Sequence, residues 1–321
     1  MEISVQRQII PIEENIRARY SLIIPIIRGM LYSTKLDIVN NCGGIDGITF
    51  DTFTRIYIEH PGDYGICFEY AVHEAIRNKD PVLQPYISSI INDYCKIKDE
   101  AQSILFAIEK TGNAYIVESN KGLINKDSRI LVGSAGKPPL LERHLENIKK
   151  AFHNPKYVEK LPDCIKGIWK ADLFLGGQTT NQWVATTLKT RKEAFEAAPG
   201  LRIGMYPEAD KKKKVVIDSA KNLIMCPLPY NGDFMQLFGA SFAIVKQIIA
   251  AHCNQPSRVA LYYEDDQAVA KYLVDRKEFT VKAILESLEA IKQVGLLHEE
   301  KETISANDPE SGLIAPISLL I

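Results

Sequence analysis

Two charged residues sit in a stretch that is otherwise fit for burial. Asp172 opens the run Asp172-Leu173-Phe174-Leu175-Gly176, and Lys189 closes the run Gln182-Trp183-Val184-Ala185-Thr186-Thr187-Leu188-Lys189. Both runs are rich in the apolar, β-branched and aromatic residues that suit a pleated surface, and Gly-Gln-Thr-Thr-Asn between them is turn chemistry. The pattern predicts a β-hairpin. Alternation places Trp183, Ala185, Thr187 and Lys189 on one face. A turn centred near residues 179 and 180 sets Asp172 opposite Thr187 and diagonal to Lys189, which brings a carboxylate and an ammonium within reach of each other. A third ionisable group, Glu69, lies on a predicted helix about a hundred residues earlier, in Gly65-Ile66-Cys67-Phe68-Glu69-Tyr70-Ala71-Val72-His73-Glu74-Ala75-Ile76.

Other arrangements that could do chemistry are weaker. Cys67 and His73 are six residues apart on that helix and point to different faces, so they make a poor nucleophile and base. His73 stands one turn after Glu69 and reads as a partner for it or as a packed side chain. Gly133-Ser134-Ala135-Gly136-Lys137 is followed by Pro-Pro and does not fit the Gly-x-x-x-x-Gly-Lys-[Ser/Thr] phosphate loop. A glycine loop ahead of a helix can still offer backbone N–H groups and Lys137 to a phosphate. The segment after it carries Arg143, His144, Lys149, Lys150, His153, Lys156 and Lys160, and reads first as a plain solvated helix face and next as the leading candidate for a basic, phosphate-meeting face. The run Lys211 to Lys214 reads first as a solvated turn. Glu109-Lys110 is a further polar pair without geometric support.

The elements that must position these groups follow from periodicity and punctuation. Residues 5–33 read as helical, punctuated by Pro11 and Pro25, and Gly43-Gly44-Ile45-Asp46-Gly47 breaks that pattern. After the turn at His60-Pro61-Gly62-Asp63 comes the helix of Glu69, with Asp63 placed to cap it and Phe68, Val72, Ala75 and Ile76 as its apolar stripe. A helix is expected over 83–97, and Ser103 to Ile108 fits strand or helix. A short strand at 129–132 leads to a helix over 139–152. Strands are expected at 200–207, 215–217 and 222–228, and helices over 232–252 and 279–295. The organisation expected is a helical extension over residues 1–60, an α/β core over 61–255, and a helical segment with a tail over 256–321.

A helix bearing an acid, then a strand with Asp, then a hairpin partner ending in x-Lys resembles the PD-(D/E)xK nuclease superfamily. The resemblance rests on Gly65-x-x-Phe68-Glu69, on Asp172, and on Thr187-Leu188-Lys189, and covers about a third of the chain. It implies an α/β restriction-endonuclease-like core, with a central mixed sheet flanked by helices and with added N- and C-terminal helices. It also implies hydrolysis of DNA phosphodiesters with Mg²⁺ or Mn²⁺. Asp172 and Glu69 would be the metal ligands, Lys189 would orient water and stabilise charge, and Gln182 and Thr187 would be secondary site residues. Lys137, Arg143, Lys149 and Lys150 would meet the DNA backbone. Thr187 stands where the motif has Asp or Glu. Two readings follow: Glu69 supplies the missing carboxylate, or the site is degenerate and the fold binds nucleic acid without cutting it.

The whole-chain numbers set bounds on this. A length of 321 residues allows a substantial core, and a net charge of -1 leaves any polyanion to be met by a local patch. The six cysteines are scattered, without Cys-x-x-Cys pairs or neighbouring His at zinc spacing, and read as reduced thiols, several of them buried. A third reading, a hydrolase using Cys67, would need no metal. Neither a signal peptide nor a membrane-length apolar run is visible, so a cytoplasmic protein is expected. A dimer or a larger assembly with a partner subunit is expected, and a role in bacterial restriction or phage defence would fit by analogy with the fold.

Overall fold

The computed structural model describes residues 14–34, 36–105, 123–131, 138–208, 210, 213–229 and 232–292. The chain folds as α/β, with a mixed seven-stranded sheet between helical layers. The strands are β1 (Gln102–Leu105), β2 (Arg129–Leu131), β3 (Leu173–Gly177), β4 (Gln182–Leu188), β5 (Ile203–Pro207), β6 (Val216–Asp218) and β7 (Leu223–Leu228). Their order is β1-β3-β4-β5-β7-β6. β1, β3 and β4 form an antiparallel meander, and β4, β5 and β7 run parallel. β2 pairs in parallel with the first half of β4, along the edge that β5 takes over at Thr186.

The helices are α1 (Glu14–Ser33), α2 (Leu36–Asn41), α3 (Gly44–Gly47), α4 (Phe50–Ile56), α5 (Asp63–Arg77), α6 (Leu83–Cys95), α7 (Leu141–His153), α8 (Gly232–Ala250), α9 (Glu264–Val274) and α10 (Val281–Glu289). Strand alternation divides them between two cores. Leu105, Leu173, Leu175, Val184, Leu188, Met205 and Cys226 face one core with α1, α5, α8, α9 and α10. Ile104, Phe174, Trp183, Ala185, Tyr206 and Met225 face the other, against Leu141, Ile148 and Ala151 of α7 and the short turns that carry Ile165 and Ile168.

Helix α1 is part of the first core and not an addition to it. Leu22, Ile23, Ile24, Ile26 and Ile27 are all buried, so this helix is apolar around most of its circumference and packs on α5 and α8. Arg28 joins it to Glu74 of α5 at 2.7 Å and to Glu289 of α10 at 3.4 Å, and Arg19 reaches Asp266 of α9 at 2.6 Å. The helical segments before and after the sheet are thus welded into one layer with α5. Asp63, expected to cap α5, turns back instead: its Oδ2 accepts from the His60 N–H at 2.6 Å and from the Tyr57 hydroxyl. The segment that fitted strand or helix is strand at Gln102–Leu105, and its continuation beyond Leu105 lies outside the described residues.

Candidate active site

The hairpin has the register its turn position predicts. Leu173 pairs with Thr186 and Gly177 with Gln182, so the next position toward the open end sets Asp172 opposite Thr187. The pairing is held there by the Asp172 N–H, which donates to Thr186 O at 2.8 Å. At the turn, Asp99 accepts from the Thr180 N–H at 2.9 Å, and a Cβ on Gly176 would strike the Gln182 carbonyl. Glycine is therefore required in β3 for the strands to lie this close.

At the open end, donors converge on one carboxylate oxygen. Asp172 Oδ2 accepts from the Thr187 hydroxyl at 2.8 Å and from the Leu188 N–H at 2.7 Å, and Lys189 Nζ lies 3.6 Å away. Asp172 is 0% exposed, whereas the Lys189 side chain is 36% exposed. The carboxylate is thus held inside by its hydrogen bonds, and the ammonium forms the outer wall of the cluster. Burying a carboxylate without such partners would cost several kcal/mol, on the order of the penalty that pushes isolated buried acids to protonate.

Glu69 reaches the same end of the sheet by another route. His73 on α5 shares a hydrogen bond with the Ser103 hydroxyl of β1 at 2.9 Å, and Lys79, just past α5, pairs with Glu100, just before β1, at 3.0 Å. Helix and strand therefore run antiparallel. Glu69, about 6 Å further along α5, is level with Leu105, which pairs with Leu173 beside Asp172. Alternation, however, turns Asp172 and Thr187 toward the α7 face, while α5 covers the opposite one. The two carboxylates share an end of the sheet and approach it from different faces.

The remaining expected site residues are distributed as follows. Gln182 opens β4 at the turn, about 17 Å of extended chain from Thr187, and the structure does not bring it into the cluster. Arg143 and Lys150 are exposed on α7, on the same side of the sheet as Asp172, and Lys149 lies on that helix too. Lys150 and Lys160 both approach the Tyr157 ring, at 5.9 and 4.6 Å from its centroid. Lys137 with its glycine loop, Glu109 and Lys110 lie outside the described residues. Lys213 is paired with Glu208 at 3.1 Å, in keeping with a solvated turn.

Nothing in the geometry favours thiol chemistry. Cys67 is wholly buried, donates to Ile26 O at 3.4 Å, and has its thiol pKa pushed well up by burial. His73 is engaged with Ser103, not with the thiol or with a solvent-facing group. All six cysteines are free. Among the described residues, no group of three or more His, Cys, Asp or Glu is placed to hold a metal ion. No helix among them is long and apolar enough to cross a membrane.

Comparison of the chain with protein-family models, with characterised proteins and with solved structures returns no match.

Proposed function

We propose that the protein is a divalent-metal-dependent DNA endonuclease built on a restriction-endonuclease-like core. The observation that carries the reading is the Asp172–Thr187–Lys189 cluster at the open end of a central hairpin, with Lys189 Nζ 3.6 Å from the carboxylate. The antiparallel meander that leads into parallel strands, and the basic side of α7 over the same face, support it. The donor available to a hard cation is Asp172 on the α7 face, which would hold Mg²⁺ or Mn²⁺; Glu69 approaches the same end of the sheet from the α5 face and so would not share that ion. A metal bound there would supply Lewis acidity to a phosphodiester oxygen and lower the pKa of a coordinated water. Thr187 and the Leu188 N–H fix Asp172, while the outward-facing ammonium of Lys189 is free to stabilise negative charge that develops on a phosphoryl group.

A second reading is favoured by the same corner. Asp172 is fully enclosed and its Oδ2 is already met by three groups, while Thr187 brings a hydroxyl where a second acid would ligate metal. That suits a nuclease-like protein that binds nucleic acid without cutting it, as a subunit of a larger assembly. Either activity belongs in the cytoplasm, and a place in bacterial restriction or phage defence rests on fold analogy.

Incubation of linear and circular duplex DNA with Mg²⁺ or EDTA separates the two. The endonuclease cleaves only with metal, and Asp172→Asn and Lys189→Ala each lower the rate by about 100-fold or more. Cleavage indifferent to these substitutions would remove the site. Tight DNA binding without cleavage leaves the second reading, and neither binding nor cleavage removes both.

A further inference from the structure

Resting on the reading of this cluster as a nucleic-acid site, we infer that Lys170, Arg191 and Lys192 form, with Lys189, a rim that grips the phosphodiester backbone at the open end of the hairpin. Their places in the chain set them around the cluster: Lys170 ends a short turn two residues before Asp172, and Arg191 and Lys192 follow Lys189 by two and three residues. Lys170, Arg191 and Lys192 are exposed, and Lys189 is half-buried beside the carboxylate.

They lack the acid partners that several other surface lysines have. Lys246, Lys271 and Lys282, over the helical layer, are paired with Glu59, Asp275 and Asp46. Among the described residues, Lys170, Arg191 and Lys192 form no ion pair. Lys192 rests its ammonium over the Tyr206 ring, 5.7 Å from the centroid, a contact that places the charge without neutralising it. Glu193, exposed next to Lys192, is the acid beside the rim, and Asp172 is enclosed and already engaged by Lys189. Three exposed cations beside Lys189 draw a polyanion toward this corner.

The sign and spacing fit a backbone with one charge per phosphate, and the contact is independent of base sequence. Lys150 and Lys160, gathered around Tyr157 on the same side of the sheet, extend the positive surface away from the hairpin. Held along this rim, a nucleic acid backbone presents a phosphodiester to Lys189, whose ammonium lies 3.6 Å from the Asp172 carboxylate.

The test is fluorescence anisotropy of a labelled 30-base duplex oligodeoxynucleotide in EDTA over a salt series, with the full-length protein. A triple Lys170→Gln, Arg191→Gln, Lys192→Gln variant is compared with a control triple, Lys246→Gln, Lys271→Gln, Lys282→Gln, which changes net charge equally. The rim triple is expected to lose about 3 from the log–log salt slope, at about 0.9 per phosphate contact, while the control keeps the wild-type slope. Circular dichroism confirms that both triples fold. Equal weakening in both triples, or none in either while the wild type binds, overturns the rim and leaves the proposed function standing. A wild-type protein that binds no DNA overturns both.

Discussion

At the scale of the residue, burial decides what each ionisable group can do. His73 shows this most directly: enclosed beside Ser103, its pKa is lowered to about 3, first by desolvation and then by Arg77 and Arg28. The unfolded imidazole titrates near 6.5, so between those values the unfolded chain holds a proton that the folded chain refuses. Stability from this group is therefore complete above pH 6.5 and is lost as pH falls. The slope is up to about 1.4 kcal/mol per pH unit. Urea unfolding at pH 7 and pH 5 should show about 2 kcal/mol lost from this source, and His73→Gln should show a smaller difference. An identical pH response in the variant would mean that carboxylates alone account for it. At Asp63, the neighbours decided against the sequence expectation. A capping role was legible from its position, but Tyr57 OH and the His60 N–H claim its carboxylate, and nothing local announces a hydroxyl arriving from six residues upstream.

At the scale of the element, the hairpin was the most legible part of the chain, because turn chemistry and alternation fix register together. Asp172 opposite Thr187 follows from the turn alone. The same arithmetic places Gln182 at the far end of β4; the cations flanking the open end were not legible as a group, because single exposed cations look alike in a sequence. Gly176 is the position where the hairpin is most constrained, since a side chain there would meet the backbone of β4 and not a flexible neighbour. Gly176→Ala should cost about 3 kcal/mol and separate β3 from β4, with Asp172 losing its donors as a result. Thermal unfolding and cleavage or binding assays on that variant check this. Unchanged stability would show that β3 can shift without disturbing its partner.

At the scale of the molecule, α1 and the helices that follow the sheet form one layer with α5 on one face of the sheet, and α7 covers the other. The signal for α1 was present in the sequence: consecutive buried Leu22, Ile23 and Ile24, then Ile26 and Ile27, do not suit a helix with a solvent face. Pro25 reads in sequence as a helix breaker, but it is accommodated inside the helix. The α5 face of the sheet is covered only when α1, α8, α9 and α10 are present together. Deletion of residues 1–60 should therefore abolish cooperative unfolding and protease resistance instead of releasing a folded core. A truncated protein that retains a sharp thermal transition would restore the idea of an independent extension.

The Thr187 hydroxyl has a consequence for how this protein is kept ready. Two carboxylates facing each other across the strand ends would repel, and that corner would close only around a cation. Here the contact is a neutral donor on a charged acceptor, completed by a backbone N–H and an ammonium. The corner is thereby closed by the chain's own donors, and its shape is set by the same hairpin pairing that brings Thr187 opposite Asp172.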